Sequence, residues 1–112
     1  MTGNTALSFG EAIELLKQGK LVQRAGWNGK GMFIFQRPSD TLPVKIVVEN
    51  VKSLPQSVKD YYANVTDGAM ENIAVIFTSY LCMKAADDSV VNGWLASQTD
   101  MLANDWVEVV II

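Results

Sequence analysis

Apolar side chains at Phe9, Ala12, Ile13 and Leu16 recur at i, i+3, i+4 and i+7, which is one stripe of an amphipathic helix. Ser8 and Glu11 have the spacing of a capping box, and Gly19 stands where a left-handed C-terminal residue belongs. The pattern predicts a helix from about Phe9 to Gln18. The period then shortens. Lys20 to Ala25 and Met32 to Gln36 read as two strands joined by the turn signal Asn28-Gly29, a β-hairpin. Arg37-Pro38-Ser39-Asp40 breaks this pattern, and Val44 to Val48 reads as an edge strand or an extended connection. Ser53 to Gln56 offers a second helix start. Val58, Tyr61, Tyr62 and Val65 follow at helical spacing, up to a stop at Asp67-Gly68. Ile73 to Met83, rich in β-branched and aromatic residues, predicts one long strand, turned by Ala86 to Ser89 into Val90-Val91. Asn92-Gly93 reads as a bulge or turn, Thr99 or Asp100 as the cap of one helical turn through Ala103, and Trp106 to Ile112 as a closing strand.

These elements predict an α+β fold: a single domain over residues 1–112, with an N-terminal helix packed on a mostly antiparallel sheet of hairpins and a second, short helix in the middle. Composition narrows the reading. In 112 residues, 49% are hydrophobic and 19% charged, enough apolar surface to offset the entropy of ordering the chain. A domain near this size buries only about two-thirds of its unfolded surface, so part of that apolar content is expected to cover itself by homo-oligomerisation. Nine Lys+Arg against twelve Asp+Glu, net −3, argue against a nucleic acid polymer as partner, since such binding rests on many cation–phosphate contacts. With no histidine, the usual general base, the commonest metal ligand and the Ser-His and Cys-His nucleophile pairs are all absent. Cys82 is the only cysteine, so an intrachain disulfide and a thiolate zinc site are excluded, and a reduced cytosolic setting is the simplest expectation. No apolar run approaches a membrane span, and no secretory signal is visible, so neither a membrane nor secretion is expected.

Two clusters carry candidate chemistry. Gly26 to Met32 sets three glycines, an amide, a cation and Trp27 within seven residues, where exposed backbone N–H groups can hold an anion. It matches neither a dinucleotide nor a Walker pattern. Its structural alternative is a plain turn with Trp27 on the core. The second cluster, from Trp94 to Trp106, interleaves Ser97, Gln98, Thr99 and Asp100 between two tryptophans, a mixture suited to stacking on a base and reading its edges or a ribose. Its structural alternative is a capped turn with Trp106 in the core. Arg24, Lys30 and Lys84 are cations that could meet a phosphate, and Arg24 suits it best through its planar fork. Asp87-Asp88, or Asp100 with Asp105, could serve as acid and base or as magnesium ligands, but turn and cap roles account for them better.

Taken together, FGEAIELLKQGK, RAGWNGKGMF and YLCMKAADDSVVNGWLASQTDMLANDWVEV resemble a family of small phage and prophage proteins whose characterised members are type 2 Thoeris anti-defence sponges. The resemblance covers roughly half the chain and is loose between Pro38 and Met70. It departs at Asp88, where such sequences often carry glycine. It implies a non-catalytic protein without cofactor. Such a protein would sequester cyclic nucleotide immune signals, glycocyclic ADP-ribose from TIR enzymes and in some members cyclic di- or trinucleotides of CBASS cyclases, in the cytoplasm of the infected bacterial host. It also implies a homotetramer with ligand sites at subunit interfaces.

That implication fits the size of the chain, because a cavity of several hundred Å³ would consume the core of a 12.3 kDa protomer, whereas an interface can supply it. On this basis the expected ligand-binding residues are Arg24 as phosphate contact, Trp27 and Trp94 flanking a base, and Asn28 with neighbouring amides on ribose or pyrophosphate. Phe33 is an apolar wall, and Ser97, Gln98, Thr99 and Asp100 give polar recognition. Catalytic and metal residues are expected to be absent. The rival readings are a phosphodiesterase-like enzyme that degrades the same signals and a phage protein-interaction module.

Overall fold

The computed structural model describes residues 5–27 and 31–111. The first helix, α1 (Phe9–Lys17), starts as its sequence predicts: Ser8 Oγ accepts from the Glu11 N–H, and the Glu11 carboxylate accepts from the Ser8 N–H. It ends on Gly19, at φ +83°, with Gly19 and Lys20 donating to the carbonyls of Leu16 and Leu15. That φ is open to glycine at little cost and closed to most side chains.

The chain divides into two compact units, one built from the segments up to Arg37 and from Tyr80 onward, the other from Pro38–Ser79. The first holds a five-stranded antiparallel sheet in the order β6-β5-β2-β1-β7, made of β1 (Leu21–Arg24), β2 (Phe33–Arg37), β5 (Tyr80–Lys84), β6 (Val90–Asn92) and β7 (Trp106–Val109). Helix α1 packs on β1, β2 and β7. Val22 faces Ile34 and Glu108 across the sheet, and Ala12, Leu16, Val22, Ile34 and Trp106 close the core between helix and sheet. A short helix α4 (Gln98–Leu102) precedes β7.

The second unit pairs β3 (Asp40–Pro43) with β4 (Ala74–Phe77) and packs α2 (Val44–Glu49) against both strands and α3 (Gln56–Thr66) against α2. Helix α3 stops at Asp67, in the left-handed region at φ 43°, as the Asp67-Gly68 signal predicts. The class is α+β, with a mostly antiparallel sheet and the predicted helix in the middle.

Three local expectations are corrected. Val44 to Val48 is helical: Pro43, at φ −55°, ends β3, and burial of Val44 and Val47, three apart, outweighs the strand preference of valine. The stretch Ile73 to Met83 is two strands, not one. Pairing stops at Thr78-Ser79 and, on the opposite strand, at Pro38-Ser39, so Arg37 faces Tyr80 and Asp40 faces Phe77 with a break in both strands at one level. Proline cannot donate to a ladder, and at Pro38 the strand changes partner sheet. The hairpin of β1 and β2 is present, paired at Val22 and Ile34, with β1 ending at Arg24 and a 3-10 turn, Ala25–Trp27, following it; its turn signal, Asn28-Gly29, lies outside the described residues. The cap of α4 is Ser97, one full capping box with Asp100, in place of Thr99 or Asp100.

Candidate functional site

Val22 and Arg24 lie on one face of β1, and Arg24 stands opposite Trp106 of β7, so its guanidinium is carried toward the core side of the sheet. A charge taken out of water there needs acceptors. Two aspartates supply them: Arg24 Nε donates to Asp105 Oδ1 and Nη1 to Asp100 Oδ1, each at 2.9 Å. Only 17% of the Arg24 side chain and 14% of the Asp100 side chain remain exposed.

Each aspartate then reaches a tryptophan-bearing segment. Asp105 Oδ2 accepts from the Gly26 N–H at 3.0 Å and its carbonyl accepts from the Ala25 N–H at 2.9 Å, which pins the 3-10 turn ending in Trp27. Asp100 Oδ2 accepts from the Ser97 N–H, Ser97 Oγ accepts from the Asp100 N–H, and this cap fixes the segment that follows Trp94. Hydrogen bonds from Arg24 and from the Gly26 amide hold the Asp105 carboxyl below the usual carboxylate range. At Asp100, burial pushes upward, but the Ser97 amide, Arg24 and the Ser97 hydroxyl outweigh it and the carboxyl is also lowered. The two carboxylates raise the Arg24 guanidinium further above its already high value.

The aromatic rings form a cluster around Trp106. It is fully buried and donates its indole N–H to the Asp100 carbonyl at 3.0 Å. Trp27 and Trp94 meet it edge-on with centroids 5.5 and 6.3 Å away, and Phe9 packs at 5.5 Å. Trp27 and Trp94, both half-buried, also touch each other edge-on at 6.4 Å and 74°. A base between two rings needs parallel faces about 7 Å apart, two contact distances, so within one protomer these two do not flank a base. Each instead offers what remains of its outer face.

The structure thus gathers Arg24, Trp27, Trp94, Ser97 and Asp100 into one bonded patch. Gln98 and Thr99 are exposed on the first turn of α4 beside it. Phe33 goes elsewhere. It lies on the sheet face opposite Ile34, packed on Phe35 at 6.2 Å with Lys84 Nζ 5.7 Å from its ring, so it walls a different surface from the tryptophans. Asn28, with Lys30, lies outside the described residues. Lys84 donates to the Gly31 carbonyl and pairs with Asp88, whose φ of +70° is the glycine-like turn geometry at the position where the resemblance departs. Asp87 accepts from the Ser89 amide and hydroxyl, a turn role.

Sequence reasoning considered Asp105 only as an acid, base or magnesium ligand and set it aside; that it is the hub of the network, bonded to Arg24 and the Gly26 amide, was missed. The signal was the parity of Arg24 with Val22, which demands buried acceptors for a cation on the core side. Also unforeseen is an apolar rim on the α4 side, where Leu95 and Leu102 are 88% and 79% exposed. Among the described residues, no group of three or more His, Cys, Asp or Glu is placed to hold a metal ion, and no helix is long and apolar enough to cross a membrane.

Comparison with known proteins adds two findings. A family model described as the Thoeris anti-defense 2-like domain matches residues 7–109. A protein of Bacillus phage SP01, named Thoeris anti-defense 2, is 38% identical over 102 residues, covering 91% of this chain and 93% of that protein.

Proposed function

Because this chain belongs to the Thoeris anti-defense 2-like family, we propose that it is a phage protein acting against Thoeris defence, and that it does so as a sponge. It binds a cyclic nucleotide signal, glycocyclic ADP-ribose in the first place and cyclic di- or trinucleotides of CBASS systems in the second, and withholds it uncleaved from the effector in the cytoplasm of the infected host. The observation that carries this reading is the pair of half-buried indoles, Trp27 and Trp94, locked edge-on against Trp106 beside the exposed polar turn of Gln98 and Thr99.

A rigid aromatic face stacks on a base without ordering cost, at about 1–3 kcal/mol per base. Since Trp27 and Trp94 touch, the second face of a base sandwich comes from another protomer, and the exposed Leu95, Met101 and Leu102 give such an assembly apolar area to bury. The assembly is a homotetramer in this reading. Trp27, Asn28, Trp94, Gln98 and Thr99 touch the ligand, and Phe33 lines a surface that a neighbouring protomer brings to it. Arg24 through Nε and Nη1, Ser97 through its cap and Asp100 through both carboxylate oxygens are bonded inside the protein and serve the site from behind. No step requires a base, a metal or a cofactor.

The test is to incubate the protein with glycocyclic ADP-ribose, denature it by heat and assay the supernatant. Intact ligand recovered in proportion to protein supports sequestration; linearised ligand establishes the enzyme reading instead. Trp27→Ala and Trp94→Ala should lose ligand with oligomer mass unchanged, and full affinity in both variants would move the site elsewhere.

A further inference from the structure

We propose that Asp105 is the positioning residue of the aromatic site: through Gly26 and Arg24 it sets where the Trp27 indole stands. The proposal rests on the reading that Trp27 touches the ligand. Its physical basis is independent of that reading.

Trp27 has no regular element to hold it. It sits at the end of a 3-10 turn of three residues, and an isolated turn of that length does not persist in water. What fixes it are bonds from outside the turn, and Asp105 supplies them with both of its polar ends. Its carbonyl takes the Ala25 N–H and its Oδ2 takes the Gly26 N–H, while Oδ1 is occupied by Arg24 Nε. The carboxylate cannot rotate to release one partner without losing the other. Gly26 is fitted to this acceptor, since a Cβ there would lie 3.1 Å from Asp105 Oδ2.

Arg24 then carries the constraint onward to Asp100, whose other oxygen holds the Ser97 amide. One continuous set of bonds, from Gly26 through Asp105, Arg24 and Asp100 to Ser97, therefore ties the turn bearing Trp27 to the segment just beyond Trp94. The edge-on contact of the two indoles is the geometric result. An amide at position 105 keeps the shape but offers one acceptor oxygen and one NH2 donor, so either Gly26 or Arg24 meets a donor where it needs an acceptor.

The experiment compares the full-length protein with Asp105→Asn by two readouts. The first needs no ligand: acrylamide quenching of Trp27 fluorescence, isolated by subtracting the signal of the Trp27→Phe counterpart of each protein. The quenching constant of Trp27 should rise at least twofold in Asp105→Asn while far-UV circular dichroism stays as in the parent. The second is calorimetric affinity for glycocyclic ADP-ribose, expected to fall at least tenfold. Unchanged Trp27 quenching in folded Asp105→Asn overturns the proposal whatever the ligand does, and so does raised quenching with parental affinity. If the parent itself fails to bind glycocyclic ADP-ribose, the sponge reading falls for that ligand, and the quenching result alone decides the role of Asp105. Should Asp105→Asn not fold, Gly26→Ala displaces the same turn without altering a charge and is judged by the same two outcomes.

Discussion

Replacing Trp106 by Phe separates the architecture of the site from its chemistry. The residue is fully buried, its ring lies 5.5 Å from those of Phe9 and Trp27 and 6.3 Å from that of Trp94, and its N–H is bonded to the Asp100 carbonyl. Phenylalanine keeps an aromatic ring in the core but deletes the donor, at a net cost of about 1 kcal/mol for the lost hydrogen bond. It also leaves unfilled the volume of the missing five-membered ring. Complete truncation of a buried tryptophan to alanine costs about 3–5 kcal/mol, so removal of part of the ring adds roughly 1–2. The expected destabilisation is about 2–3 kcal/mol, read from urea unfolding followed by far-UV circular dichroism at fixed protomer concentration, because assembly couples stability to concentration. The slope with urea should be unchanged and the midpoint lower. Trp27→Phe, half-buried and without a bond from its indole N–H in the core network, should shift the midpoint by much less. A Trp106→Phe protein within about 0.5 kcal/mol of the parent would refute the placement of this ring at the centre of the cluster.

Ser97→Ala removes one half of the box that caps α4 and should cost about 1 kcal/mol in the same unfolding assay, with Ser8→Ala costing a similar amount at α1; two silent substitutions would mean that the caps are not formed in solution. Gly19→Ala forces a side chain into φ +83° and should destabilise by about 1 kcal/mol, whereas a gain in stability contradicts the left-handed cap. Stability should also fall in acid. Asp100 and Asp105 are held below the ordinary carboxylate value, so their contribution is present above the unfolded value of about 3.9 and is lost as pH drops through their lower folded values. The gap between the parent and Asp105→Asn should therefore be wide at pH 6 and narrow below pH 4 in urea midpoints, and an equal gap at both pH values is incompatible with the ion-paired network.

What could be read from the sequence divides by the range over which the determinants act. Helix α1 was legible because stripe, capping box and Gly19 lie within twelve residues and agree with one another. The Asp67-Gly68 stop was legible for the same local reason. Val44 to Val48 was not, since its β-branched residues favour a strand and only burial of Val44 and Val47 decides for a helix. The break at Thr78-Ser79 was equally hidden, because it matches Pro38-Ser39 on a strand far away in sequence. At the site, Trp27, Trp94 and the polar turn after it stood out by residue type. That Arg24 serves Asp105 depends on a pairing across 81 positions, whereas the Ser97–Asp100 box, three positions apart like that of Ser8 and Glu11, was within local reach and was passed over for a cap at Thr99 or Asp100. Phe33 looked like a companion of Trp27 because it is near in sequence, yet strand alternation sends it to the other face.

The matched interruptions at Pro38-Ser39 and Thr78-Ser79 also bear on the order in which the chain acquires its structure. To pair β2 with β5 directly, an unstructured chain must close a loop of roughly 40 residues, and closure entropy grows with the logarithm of that length. Pairing β3 with β4 itself closes the roughly 30 residues between Pro43 and Ala74, and once that pair exists Arg37 and Tyr80 lie only a few residues along the chain from it. The two pairings therefore share one long-range closure: whichever of β3–β4 and β2–β5 forms, the entropy of bringing Pro38 and Ser79 together is lost once, and the other pairing follows at little further cost.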